Sequence, residues 1–155
     1  NSILVSVVGG DEQEIASTIL AKAGSGCSFN GNTEVVVFDN ENFSSRPPSY
    51  IVKFERPDPV PIFFQVTLED RNLMSFQDEQ AIKNAIINGF ANGSTKARIG
   101  QTVIASRFIC PVANSVPNLG VISLRVSKTM SDYVDYVDIG VDEYPTTTQY
   151  QITIV

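Results

Sequence analysis

Apolar residues recur along this chain with two periods, and the change from one to the other marks out the elements. The opening ILVSVV is short, apolar and β-branched, which predicts a strand. In DEQEIASTILAKA, Ile15, Ile19 and Ala23 return at four-residue steps, and Ala16 and Leu20 widen the stripe. That is the apolar face of a helix. Asp11 is the expected N-cap, with Glu14 placed to reach back as a capping-box acid. Gly24 or Gly26 is the expected left-handed residue ending that helix. TEVVVFD and YIVKFE follow as strands, and in the second Tyr50, Val52 and Phe54 share one face while Lys53 and Glu55 take the other.

RPDPVP carries three prolines in six residues and predicts a stiff, extended connector. Beyond it IFFQVTLE alternates, with Ile62, Phe64, Val66 and Leu68 inward and Gln65, Thr67 and Glu69 outward. SFQDEQAIKNAIINGFANG reads as a helix capped by Ser75 and Asp78, its buried stripe made of Ala81, Ile82, Ala85, Ile86 and Phe90. A further helix is expected from near Gln101, with Pro111 kinking or ending it. GVISLRVS sets Ile122, Leu124 and Val126 on one face, and YVDIGVDEYP and YQITIV supply the last strands, Ile152 and Ile154 facing in. The expected fold is α+β: two small two-layer sheet-plus-helix domains, β-α-β-β over residues 1–56 and β-α-α-β-β-β over residues 62–155, joined by a Pro-rich linker at 57–61.

Composition narrows the function. The 155 residues carry 11 basic and 17 acidic side chains, a formal charge of -6. No basic run is present, which argues against nucleic-acid binding by bulk attraction. No apolar stretch reaches the ~18 residues of a membrane span. The start lacks the basic region and cleavage site of a signal peptide and opens directly on a strand, so a piece of a longer polypeptide is expected. Histidine is absent, which removes the commonest general base and metal ligand. Cys27 and Cys110 are expected as small buried apolar groups, with a disulfide or a reactive thiol as the alternatives.

Three patterns invite a chemical reading. Gly9 and Gly10, between a strand and a helix, sit where a dinucleotide loop would, yet Asp11, Glu12 and Glu14 follow at once. Those carboxylates would repel a phosphate and suit the helix dipole, so the segment reads as a cap. Asp132, Asp135, Asp138, Asp142 and Glu143 form an acidic stretch, but their spacing along a strand scatters them over both faces, unlike the converging oxygens of a calcium loop. Tyr133, Tyr136 and Tyr144 lie among them. With Asp138 and Asp142 they are the candidate protein interface, packing within the domain being the other reading. Neither cysteine nor any serine has a visible activating base, and no catalytic, cofactor or metal residue is assigned.

GGDEQEIASTI, GCSFNGNTEVVVFD and YIVKFERP, in this order, resemble the baseplate J-like proteins of contractile-tailed, Mu-like phages and prophages. The matching positions are Gly9, Gly10, Asp11, Gly26, Cys27, Gly31, Asn32, Thr33, Arg56 and Pro57, and IGQTVIASRF and GVISLRV extend the likeness over nearly the whole chain. The resemblance implies a non-enzymatic wedge component of the tail baseplate. It implies other baseplate and tail proteins as partners within a sixfold-symmetric assembly, in the virion tail after assembly in the bacterial host cytoplasm. It carries no cofactor and no catalytic residue. A stand-alone protein- or carbohydrate-binding module is the alternative function, and a carboxylate-dependent hydrolase the third.

Overall fold

The computed structural model describes every residue except Asn1, Ser25, Glu41 and Ser44. The fold is α+β, and the chain divides into two compact units, Asn1–Asp58 and Pro59–Val155.

The first unit contains β1 (Ser2–Leu4), α1 (Glu12–Lys22), β2 (Ser28–Asn30), β3 (Thr33–Phe38) and β4 (Ser49–Phe54). β1 and β2 pair in parallel; β3 and β4 form an antiparallel ribbon in which Val36 faces Ile51 and Glu34 faces Lys53. Ala16 of α1 packs with Val37, Val52 and Phe54, and Ile15, Ile19 and Leu20 flank them. The helical stripe thus meets the inner face of the ribbon, as its spacing predicts. Tyr50 shares the face of Val52 and Phe54, opposite Val37 in the register, yet is 41% exposed. The cap of α1 is Asp11, whose Oδ1 accepts from the amides of Gln13 and Glu14, both at 3.0 Å. Glu14 therefore enters the cap through its amide. At the other end Ala23, in an extended conformation, terminates the helix; Gly24 does not adopt the left-handed form, and Gly26 does so only in the following turn.

The second unit is built around β6 (Phe63–Leu68). It is preceded by β5 (Asp58–Pro61) and followed by α2 (Phe76–Ala91), β7 (Thr102–Ile104), α3 (Ile109–Ser115), β8 (Val121–Ser127), β9 (Tyr136–Asp138), β10 (Glu143–Thr146) and β11 (Ile152–Ile154). β6 is central, parallel to β11 and antiparallel to β8. Its inward residues Phe64 and Val66, with Ile62 before them, are fully buried, and α2 lays Ile82, Ile86 and Phe90 into the same core. Phe64 meets Phe90 and Phe108 edge-on, at centroid distances of 5.9 and 5.0 Å. Such pairs add roughly 0.5–1.5 kcal/mol beyond the area they bury. The capping box of α2 is complete: Ser75 Oγ accepts from the Asp78 amide, and Asp78 Oδ2 accepts from the Ser75 amide.

Two sequence expectations give way here, and a third is refined. The segment at 57–61, expected as a stiff, extended connector, is extended, and within it Asp58–Pro61 forms β5 and pairs with β10. Proline has no N–H to donate, but alternate positions of an outer strand leave that group unused. The helix expected from Gln101 begins as a strand. Thr102, Val103 and Ile104 are all β-branched, and they pair with β9. A 3-10 turn at Ala105–Phe108 then leads into α3, where Pro111 occupies the first turn and breaks no internal hydrogen bond. Ile122 points outward, 65% exposed, while Leu124 and Val126 are buried as expected. The register explains it: Thr67 faces Ser123 but Leu68 faces Val121, so Ile122 is the extra residue of a bulge.

Candidate interaction surfaces

The paired glycines sit at a corner that holds a cation. Gly9 and Gly10 both have positive φ, 73° and 79°. Their carbonyl oxygens turn toward Arg56, whose Nη1 donates to Gly9 O at 2.5 Å and Val7 O at 3.3 Å, and whose Nη2 donates to Gly10 O at 3.0 Å. The guanidinium also lies 5.1 Å from the centroid of Phe54. Asn32 binds the Arg56 backbone reciprocally, its Nδ2 donating to Arg56 O and its Oδ1 accepting from the Arg56 amide. Gly31 (φ 152°) is required beside it, since a Cβ there would fall 2.1 Å from the Phe54 carbonyl carbon. Gly9, Gly10, Gly31, Asn32 and Arg56, which carry much of the resemblance, therefore meet in one hydrogen-bonded corner. The first amides of α1 are occupied by Asp11, and the glycine loop offers acceptors. This arrangement suits a guanidinium and repels an anion.

The outer face of the β3–β4 ribbon is apolar. Val36, Phe38 and Ile51 are 46%, 55% and 56% exposed, on the side opposite α1. Lys53 and Glu34 close one end of the face with a 2.9 Å ion pair. The free edge of β3 is partly covered, because Gln13 Nε2 donates to Val36 O and the Asn40 amide donates to Phe38 O. Sequence reasoning named neither this face nor its residues as a site. The signal was available in the VVVF run, whose every second member must point away from the helix.

The expected tyrosine and acid interface is spread over a loop and two strands. Tyr136 on β9 is exposed, Tyr133 is half-buried and Tyr144 on β10 is 37% exposed. Asp138 accepts a 2.6 Å hydrogen bond from the Thr102 hydroxyl across the β7–β9 ladder, and Asp142 lies exposed in the following turn. Glu143 accepts from the Gly140 amide at 2.7 Å and from Lys128 Nζ at 2.5 Å. The Gly140 bond first, then Lys128, hold its carboxyl below the ordinary value of 4.5. After Lys128 the sequence has no basic residue, so the negative charge of the chain gathers in this segment. Among the described residues, no three histidine, cysteine, aspartate or glutamate side chains gather as a metal site.

Hollows open on the surface of the described residues. One in the first unit, of about 480 Å³, is lined by Ser17, Leu20, Val37, Phe38, Asp39 and Asn42. Asp39 there accepts from the amide and side chain of Asn42, and the Ser17 hydroxyl donates to Gln13 O within α1. Its serine and carboxylate are thus engaged in holding local backbone and form no nucleophile–base pair. Cys27 is half-buried and Cys110 exposed; both are free thiols, and Cys110 departs from the burial expected of it. No described helix is long and apolar enough to cross a membrane. A scan of protein-family models and a search of curated proteins find no match for the chain.

Proposed function

We propose that this chain is a structural assembly protein, a baseplate J-like wedge component of a contractile phage or prophage tail, acting through protein–protein contacts. The observation that carries the reading is the division of labour among its residues. The residues that stand out in the sequence, Gly9, Gly10, Gly31, Asn32 and Arg56, are engaged with one another inside the first unit. The exposed apolar and aromatic side chains, Val36, Phe38, Ile51 and Tyr136 among them, stand on open strand faces. Open apolar strand faces suit contact with other proteins, where aromatic residues are enriched.

In this reading the partners are other baseplate and tail proteins in a sixfold-symmetric particle, and no nucleic acid or membrane is engaged. The test is electron microscopy of purified tail particles that carry an affinity label on this chain. Label at the baseplate is the expected result. Intact particles that never carry the label would contradict the assignment.

A further inference from the structure

We infer that the outer face of the β3–β4 ribbon pairs with the same face of a second copy of this chain, the two ribbons related by a twofold axis parallel to their strands. The reason is the register. Glu34 faces Lys53, Val36 faces Ile51 and Phe38 faces Ser49, level by level along the ribbon. A twofold axis along the strands, lying between two stacked ribbons, sets β3 of each copy over β4 of the other. Glu34 of one copy then lies over Lys53 of the second, and Lys53 over Glu34. The four charges alternate around a square, so each has an opposite charge beside it and another above it.

One level along, Val36 of each copy lies over Ile51 of the other, and Phe38 closes the far end against Ser49. The face is therefore complementary to itself in charge at the Glu34–Lys53 level and in apolarity at the Val36–Ile51 level. An axis across the strands instead would set Glu34 over the Phe38 level and leave the charges unmatched. Two such faces pack about 10 Å apart, as sheets in a sandwich do.

Size decides how strong the pairing is. A ribbon of two six-residue strands offers roughly 20 Å by 10 Å, well under the ~800 Å² per partner of a stable complex. The contact belongs to the weak, transient class and operates where copies are held close together. It is a property of the face and does not depend on the chain belonging to a tail.

The test is a concentration series of the 155-residue chain up to about 1 mM, followed by sedimentation equilibrium and amide NMR. Wild-type chain is expected to self-associate toward a dimer, with shift changes confined to residues 33–38 and 49–54. Lys53→Glu sets like charges over each other at both symmetry-related positions and should weaken association roughly tenfold. The double exchange Glu34→Lys with Lys53→Glu restores the alternating square and should recover it, whereas a merely local role for the ion pair would leave association unmoved in all three chains. A wild-type chain that stays monomeric with unmoved shifts at the highest concentration overturns the inference. So does concentration-dependent shift change on another surface, or a Lys53→Glu chain that associates like wild type.

Discussion

Arg56 donates to three carbonyl oxygens brought together by two left-handed glycines, and its ring contact with Phe54 ties the cluster to the small core beneath. Among the described residues that core has four buried side chains, Ala16, Val37, Val52 and Phe54, so polar contacts at its margin weigh heavily in the stability of the first unit. Replacing Arg56 by alanine should cost about 2 kcal/mol, since hydrogen bonds to a charged donor are worth roughly 1.5–3 kcal/mol each and the group is partly solvated. Arg56→Lys should lose about half as much, because a single ammonium cannot fork between Gly9 and Gly10. Urea unfolding followed by a probe in the first unit reads both. A loss below about 0.5 kcal/mol for alanine would mean that the corner is not a joint. The pair of glycines and the acids after them were legible as something other than a phosphate loop. That their carbonyls serve Arg56, 46 residues away, was not, because the partner is chosen by tertiary placement and leaves no local period.

Where the sequence alternates cleanly, elements form as it predicts. Ile62, Phe64, Val66 and Leu68 are buried at 5% exposure or less, and Ser75 and Asp78 make the cap their spacing announces. The departures have local causes. A bulge beside Leu68 reverses Ile122, and β-branched residues 102–104 join β9 where a helix was expected. The bulge is not visible in a strand read without its partner, whereas the β-branched run at 102–104 stood in the sequence itself.

The turn between β9 and β10 supports a prediction about acid. Glu143 has its carboxyl lowered by the Gly140 amide and by Lys128, so the folded state holds the ionised form more tightly than the unfolded chain does. Its contribution is complete above the ordinary value of 4.5 and is lost as pH falls through the lowered folded value. Glu143→Gln should therefore destabilise the chain by about 1 kcal/mol at pH 7 and progressively less at a second pH taken further below 4.5. Denaturant midpoints measured at the two pH values check it. A variant equally destabilised at both would show that the charge is irrelevant to the turn.

Across the whole molecule, the chain spends its conspicuous residues on folding and leaves its chemistry-poor strand faces open. The α+β class and the main helices were legible from periodicity. The β3–β4 face was not singled out, although the alternation in VVVF carried the signal; that Ile51 of β4 joins Val36 and Phe38 on it is set by the strand pairing, which no local pattern shows. The net charge of -6 acts in the same direction as the corner, since both disfavour anions. The most direct test is an amide-resolved NMR titration of the chain with inorganic phosphate and then with a nucleoside triphosphate. The amides of Gly9 and Gly10 and those of residues 12–14 are expected to stay where they are. Saturable shifts converging on those amides would mean that the glycine corner seats an anionic ligand, and the assignment of its residues to the scaffold would be wrong.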